Sequence, residues 1–216
     1  MIEAEARKPT QDERRNTILD IAHEVFMRDG YSGASMSRIA AEVGGSKATL
    51  YSYFPSKKDL FLAVTDRETL RLLDQIFAVG PASDDLREAI ADLARRTLAA
   101  MFSDHIIESY RLVLAEAGRF PEIGRMTYEL AVKRGMERMA TFFRQGMLQG
   151  GLRRADPMRA AELFIDLATG MLHKKRLWGV VEHIDALAIE LEAQRITQVF
   201  LATYGNDAMS RAARLT

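Results

Sequence analysis

The sequence predicts an all-α protein, with an N-terminal three-helix helix-turn-helix domain joined by a long helix to a larger helical bundle. Three observations carry this expectation. Residues 35–59 read as two short helices around Gly44-Gly45, and the second is polar and aromatic on its open sides. Apolar residues elsewhere recur at three- and four-residue spacing instead of alternating. Glycine, proline and capping residues fall between these periodic stretches, about nine in all.

The first helix is expected over roughly Gln11–Arg28. Ile18, Ile21, Ala22, Val25 and Phe26 form a one-sided stripe, and Asp29-Gly30 closes the helix. Ser35 caps the second helix, whose buried positions are Met36, Ile39, Ala40 and Val43. Gly44 and Gly45 permit the positive φ of a tight turn. Ser46 caps the third helix, which buries Leu50 and Phe54 and leaves Lys47, Thr49, Tyr51 and Tyr53 on its other sides. Pro55 ends that helix, because it disfavours the α conformation at Phe54. Ser56-Lys-Lys-Asp59 starts the long fourth helix, which runs to Gly80-Pro81.

Ser83 is the expected cap of a fifth helix reaching about Phe102. A sixth runs from Ser103-Asp104 to near Gly118, and a seventh from Pro121 to about Gln149. Asp156-Pro157 opens an eighth that reaches about Trp178, and the ninth spans roughly Ile184–Tyr204. The expected organisation is a DNA-binding domain over 1–56, a helical bundle over 57–205 and a loose tail over 206–216. No strand is expected.

The matched positions Phe26, Gly30, Tyr31, Ile39, Ala40, Gly44, Ser46-Lys47, Leu50-Tyr51, Tyr53-Phe54 and Lys57-Leu60-Phe61 resemble the DNA-binding domain of the TetR family of bacterial transcriptional regulators. The stretch from Ser109 to Gly124, then Gly151-Leu-Arg153 and Asp156-Pro157, is similar to the C-terminal domain of its AefR-like branch. Together the resemblance covers about residues 18–204. It departs from the family at Gly45, where a small apolar residue is common, and the missing side chain should weaken packing at the turn.

The resemblance implies DNA contact by Ser37, Lys47, Thr49, Tyr51, Tyr53 and Lys57. Ser46 joins that set as the cap. Ala48 can offer only a methyl group to thymine. The resemblance also implies a homodimer on double-stranded DNA. Small residues on the eighth helix suit a close helix contact, so the expected interface is Ala160, Ala161, Phe164, Ala168 and Met171, with Leu191 and Leu201 from the ninth. Methionine-rich and aromatic stripes in the bundle suit a pliable apolar pocket for a small-molecule effector. Tyr110, Leu114, Met139, Phe143 and Phe164 are the expected lining, and His105 or His173 the polar handle.

Composition narrows the alternatives. The chain has 216 residues, 48% of them hydrophobic, and no cysteine, which leaves no disulfide or thiolate metal site. No apolar run is long enough to span a bilayer, and Glu3, Glu5, Arg7 and Lys8 do not make a secretory signal, so a cytoplasmic protein without membrane contact is expected. Formal net charge is zero, yet residues 34–58 hold four basic residues against one acidic. Arg7, Lys8, Arg14 and Arg15 form a second basic cluster. Such a balance favours specific over non-specific DNA binding. None of His23, His105, His173 and His183 sits in a Glu-x-x-His pair, and no nucleophile elbow or phosphate loop is present. No catalytic residue, metal ligand or cofactor is therefore expected. The expectation is a repressor released from a palindromic operator by a small apolar or amphipathic effector. The rival reading is a helical small-molecule carrier or interaction module without operator binding. The presence of Lys47, Tyr51 and Lys57 argues against it.

Overall fold

The structure is a computed structural model that describes residues 10–78 and 85–206. In chain order the helices are α1 (Gln11–Gly33), α2 (Met36–Val43), α3 (Lys47–Tyr53), α4 (Lys57–Ile76), α5 (Leu86–Met101), α6 (Asp104–Ala117) and α7 (Pro121–Thr127). A π-turn over Tyr128–Lys133 continues α7 into α8 (Arg134–Leu148). Then follow α9 (Pro157–Ala168), α10 (Met171–Leu177) and α11 (Ala186–Tyr204). The fold is all-helical, as the sequence predicts. Leu152 and Gly205 form an isolated antiparallel bridge, which ties the end of α11 to the α8–α9 loop.

Most boundaries follow local chemistry. Thr10 and Glu13 form a reciprocal capping box on α1. Ser35, Ser46, Ser56 and Ser103 each accept from the amide three residues on. Gly30 interrupts α1 at φ 73° and ψ 170°, and a short turn to Gly33 follows. The expected Gly80-Pro81 break and Ser83 cap lie outside the described residues, as do Arg7 and Lys8 and the tail from 207. Asp85 caps α5.

Two expected helices differ. The eighth breaks at Thr169-Gly170, where Thr169 leaves helical geometry and Gly170 is extended. Glycine is a poor helix residue, so packing readily breaks the chain there. The seventh keeps its course but widens into the π-turn, with no proline inside it to mark the place.

Two apolar clusters hold the molecule. The first joins α1, α2, α3 and the start of α4 through Ile18, Ala22, Phe26, Ile39, Leu50, Phe54 and Leu60, and it takes in Ile123 of α7. The second joins α5, α8, α9 and α11 around Phe143, Phe164 and Phe200, whose ring centroids lie 4.5–5.6 Å apart. Helix α4 serves both, with Leu60, Phe61 and Val64 in the first and Ile76 in the second.

Candidate functional site

The helix-turn-helix surface is built from capped short helices on a rigid base. Gly44 caps α2 at φ 71° and ψ 27°, and the amide of Gly45 donates to the carbonyl of Ala40. Ser46 Oγ accepts the Thr49 amide at 3.0 Å and lies 2.9 Å from Thr49 Oγ1. Leu50 and Phe54 are buried and anchor α3, while Arg15 lies over the Phe54 ring at 5.3 Å. Lys47, Ala48 and Ser52 are exposed, and Tyr51 is 48% exposed despite its size. Ser37 is an exposed residue of α2. Tyr53 packs half-buried against the first core.

The charges divide into two groups. Arg28 pairs with Asp29 and Glu42, and Arg38 pairs with the same two carboxylates. Hydrogen bonding from Arg28 holds both acids below the ordinary carboxylate range. Arg38 therefore adds less free charge than its sequence position suggests. Lys57 turns inward: its Nζ donates to the carbonyls of Tyr31 at 2.7 Å and Ala34 at 3.0 Å, and sits 4.4 Å from the Tyr31 ring centroid. Burial lowers its pKa. Two of its three protons serve the α1–α2 junction, so Lys57 positions the motif as well as charging it. Lys47 remains as an exposed cation on α3 itself.

Glu116, at the end of α6, is buried against that same junction. Its Oε1 accepts from the amide of Ser32 at 3.0 Å and from its hydroxyl at 2.9 Å. This contact, which no sequence motif announced, couples the bundle to the helix-turn-helix.

Behind the motif lies a cavity of about 380 Å³ between α1, α4, α6 and the α7–α8 helix. Its walls are mainly apolar, and its polar groups include His23, Glu68, His105, Ser109 and Thr127. Of the residues expected to meet a ligand, Tyr110, Leu114, Met139 and His105 line it. Phe143 and Phe164 do not: in the second core Phe143 stacks on Phe200 and Phe164 meets the same ring edge-on. His173 does not line it either. It is buried between Phe102 and Tyr110, and burial lowers its pKa. The lining the sequence missed comes from α1 and from the π-turn, where Tyr128, Ala131 and Val132 face the space. A hydrophobic stripe on α1 cannot tell which of its neighbours leaves a gap.

The expected interface residues also separate. Ala160, Ala161, Phe164, Ala168 and Leu201 are buried inside the chain, where the small residues of α9 pack against its own neighbours. Met171 and Leu191 are exposed, at 64% and 59%. Leu187 and Val199 join Leu191 as exposed apolar residues along α11. Among the described residues no group of acidic residues and histidines is placed to hold a metal ion, and no helix is long and apolar enough to cross a membrane.

Comparison with known proteins agrees with this geometry. Residues 18–64 match the sequence profile of bacterial regulatory proteins of the tetR family. Residues 88–206 match the C-terminal domain of AefR-like transcriptional repressors. The transcriptional activator FasR of Mycolicibacterium smegmatis is 36% identical over 105 residues, 48% of this chain and 46% of that protein. The flavonoid-responsive regulator FrrA is 32% identical and superposes with a TM-score of 0.79 over 91% of this chain and 99% of its own. A structure described as a TetR-family transcriptional regulator from Mesorhizobium loti is 26% identical, with a TM-score of 0.81 over 92% and 100%.

Proposed function

The chain belongs to the TetR family of DNA-binding transcriptional regulators, and from that premise we propose that it is a homodimeric repressor whose grip on a palindromic operator is released by a small apolar effector. The observation that carries the reading is α3: a short, capped helix, pinned by Leu50 and Phe54, that presents Lys47, Ala48 and Tyr51 to solvent. A rigid helix with a polar and aromatic outer face fits the major groove. Lys47, Ser37 and the Tyr51 hydroxyl would hold phosphates. Ala48 would meet a thymine methyl, and Thr49 a base edge with the hydroxyl capacity its cap leaves over. Tyr53 and Lys57 would set the angle of α3, with one Lys57 proton still available to phosphate.

Repression is favoured over activation by the AefR-like repressor profile of the C-terminal half. Effector control is supported by the cavity, whose wall includes His23, Phe26 and Met27 of α1. A molecule seated there would touch the DNA-binding domain directly. The likeness to FrrA, named as flavonoid-responsive, favours a hydrophobic effector of drug-like size. Dimerisation would use the exposed face of α11 around Leu187, Leu191 and Val199.

Selection from a random duplex library at low salt tests the reading. It should return a two-fold symmetric motif with half-sites about one helical turn or more apart. Lys47→Ala should weaken binding to every duplex and lower the salt slope of the dimer by about two, one phosphate contact for each protomer. Recovery of no motif would overturn the proposal.

A further inference from the structure

We propose that the cavity selects its ligand through a polar end formed by Glu68, His105 and His23, and that it admits uncharged hydroxylated compounds while rejecting carboxylates. The inference rests on the effector reading above and names the chemical class which that site would take.

The three residues come from three helices. His23 is on α1, Glu68 on α4 and His105 on α6, and all three line the cavity. The two imidazole centroids are 4.8 Å apart. The two oxygens of Glu68 have different surroundings. Oε1 accepts from Arg67 Nε at 3.1 Å and Arg71 Nη1 at 3.0 Å. Oε2 lies 3.6 Å from His105 Nε2, beyond hydrogen-bond length. The guanidiniums thus fix the carboxylate and leave Oε2 as an acceptor at the cavity wall.

Charge then decides which headgroup fits. Arg67 also meets Asp20 at 2.8 Å, with Arg71 at 3.9 Å from the same carboxylate, so two guanidiniums face two carboxylates. Burial, with His105 alongside, lowers the pKa of His23 and favours its neutral form. Each guanidinium therefore already faces a carboxylate, and neither is free to hold an anionic headgroup. A carboxylate would set a second negative charge against Oε2 in a partly dry site. A hydroxyl or phenol would instead donate to Oε2 and accept from an imidazole N–H, and a hydrogen bond to a charged acceptor is a strong one.

A second polar point lies on the wall at Thr127, just before the π-turn. Thr69, Thr141, Thr169 and Thr197 each donate to the carbonyl four residues back. The Thr127 hydroxyl is buried and has no hydrogen-bond partner among the described residues. A buried orphan hydroxyl is a cost, and a ligand group that reached Thr127 Oγ1 from the cavity would relieve it. Two separated polar points on an apolar wall match a hydrophobic scaffold with hydroxyls at more than one position.

Calorimetric titration of the full-length protein with matched probes tests this. Chrysin is compared with its dimethyl ether, and dodecanol with dodecanoate. The hydroxylated member of each pair should bind about tenfold tighter or more. Glu68→Gln should shrink both ratios, chiefly by admitting dodecanoate. Thr127→Val should leave the melting point of the empty protein unchanged or higher and weaken chrysin. Should Glu68→Gln fail to fold, the wild-type ratios and Thr127→Val decide. The proposal is overturned if dodecanoate or the dimethyl ether binds as well as its hydroxylated partner. It is equally overturned if neither chrysin nor dodecanol binds, or if a folded Glu68→Gln variant keeps the wild-type ratios. Operator release is read separately by fluorescence anisotropy. The predicted ratios without release would uphold the headgroup proposal and defeat the effector reading.

Discussion

Gly30, Ser32 and Glu116 meet at the α1–α2 junction, which Lys57 also holds through the carbonyls of Tyr31 and Ala34. Gly30 has φ 73° and ψ 170°, a region close to glycine-only, and a Cβ there would lie 2.7 Å from Glu116 Oε1. Gly30→Ala should therefore cost about 1–3 kcal/mol, read by urea unfolding. Glu116→Ala removes the acceptor for two Ser32 donors. Ser32 is exposed enough for water to replace part of the loss, so about 1 kcal/mol is expected in the same measurement. The sequence flagged Gly30 and Lys57 as matched positions. It offered no sign of Glu116, because a contact between residues 84 apart has no local pattern.

At the scale of the element, what could be read was what local chemistry fixes. The caps at Ser35, Ser46 and Ser56 and the left-handed Gly44 follow from side-chain reach and backbone sterics alone. The π-turn and the break at Gly170 depend on what packs against them, and so escaped. Gly45 is a case where structure changes the conclusion. Its φ is not positive, and a Cβ would meet Arg14 Nη2 at 3.8 Å and Val43 Cγ1 at 3.9 Å, which are ordinary contacts. The position is open to a side chain. Gly45→Ala should raise stability by about 0.4–1 kcal/mol by restricting the unfolded chain, seen as a higher urea midpoint at unchanged slope.

At the scale of the whole molecule, the faces of helices had to be assigned, and periodicity alone could not do it. The small residues of α9 suited a close contact, but the contact is internal: Ala160, Ala161 and Phe164 are fully buried. The cavity likewise took Tyr110 and Leu114 from the expected set and left Phe143 and Phe164 in the core.

Acid stability is a property of the same whole. Burial lowers the pKa of both His23 and His173. Well above about pH 6.5 these groups are neutral in both states and their full contribution is present. As pH falls, the unfolded chain takes up protons that the folded chain resists, and stability is lost until the folded values are passed. The melting point should therefore drop as pH falls through about 6.5, the ordinary imidazole value of the unfolded chain. His173→Phe should make that drop smaller, since its site lies between the rings of Phe102 and Tyr110.

The exposed face of α11 bears on assembly. Leu187, Leu191 and Val199 recur at four and eight residues, which places them within one side of the helix. Leu187 and Leu191 are 67% and 59% exposed in the single chain. A helix-turn-helix protein that reads a palindrome needs two copies held at fixed spacing. Leu191→Arg would place one charge of each protomer in the contact, unpaired, where desolvation is costly. Because the residue is exposed in the protomer, the monomer should keep its helical content and its urea midpoint at low concentration. Sedimentation should show the wild type as a dimer at micromolar concentration and the variant as a monomer. Operator affinity of the variant should fall toward that of a single half-site. A variant that stays dimeric and binds the operator normally would place the interface on another face of the bundle.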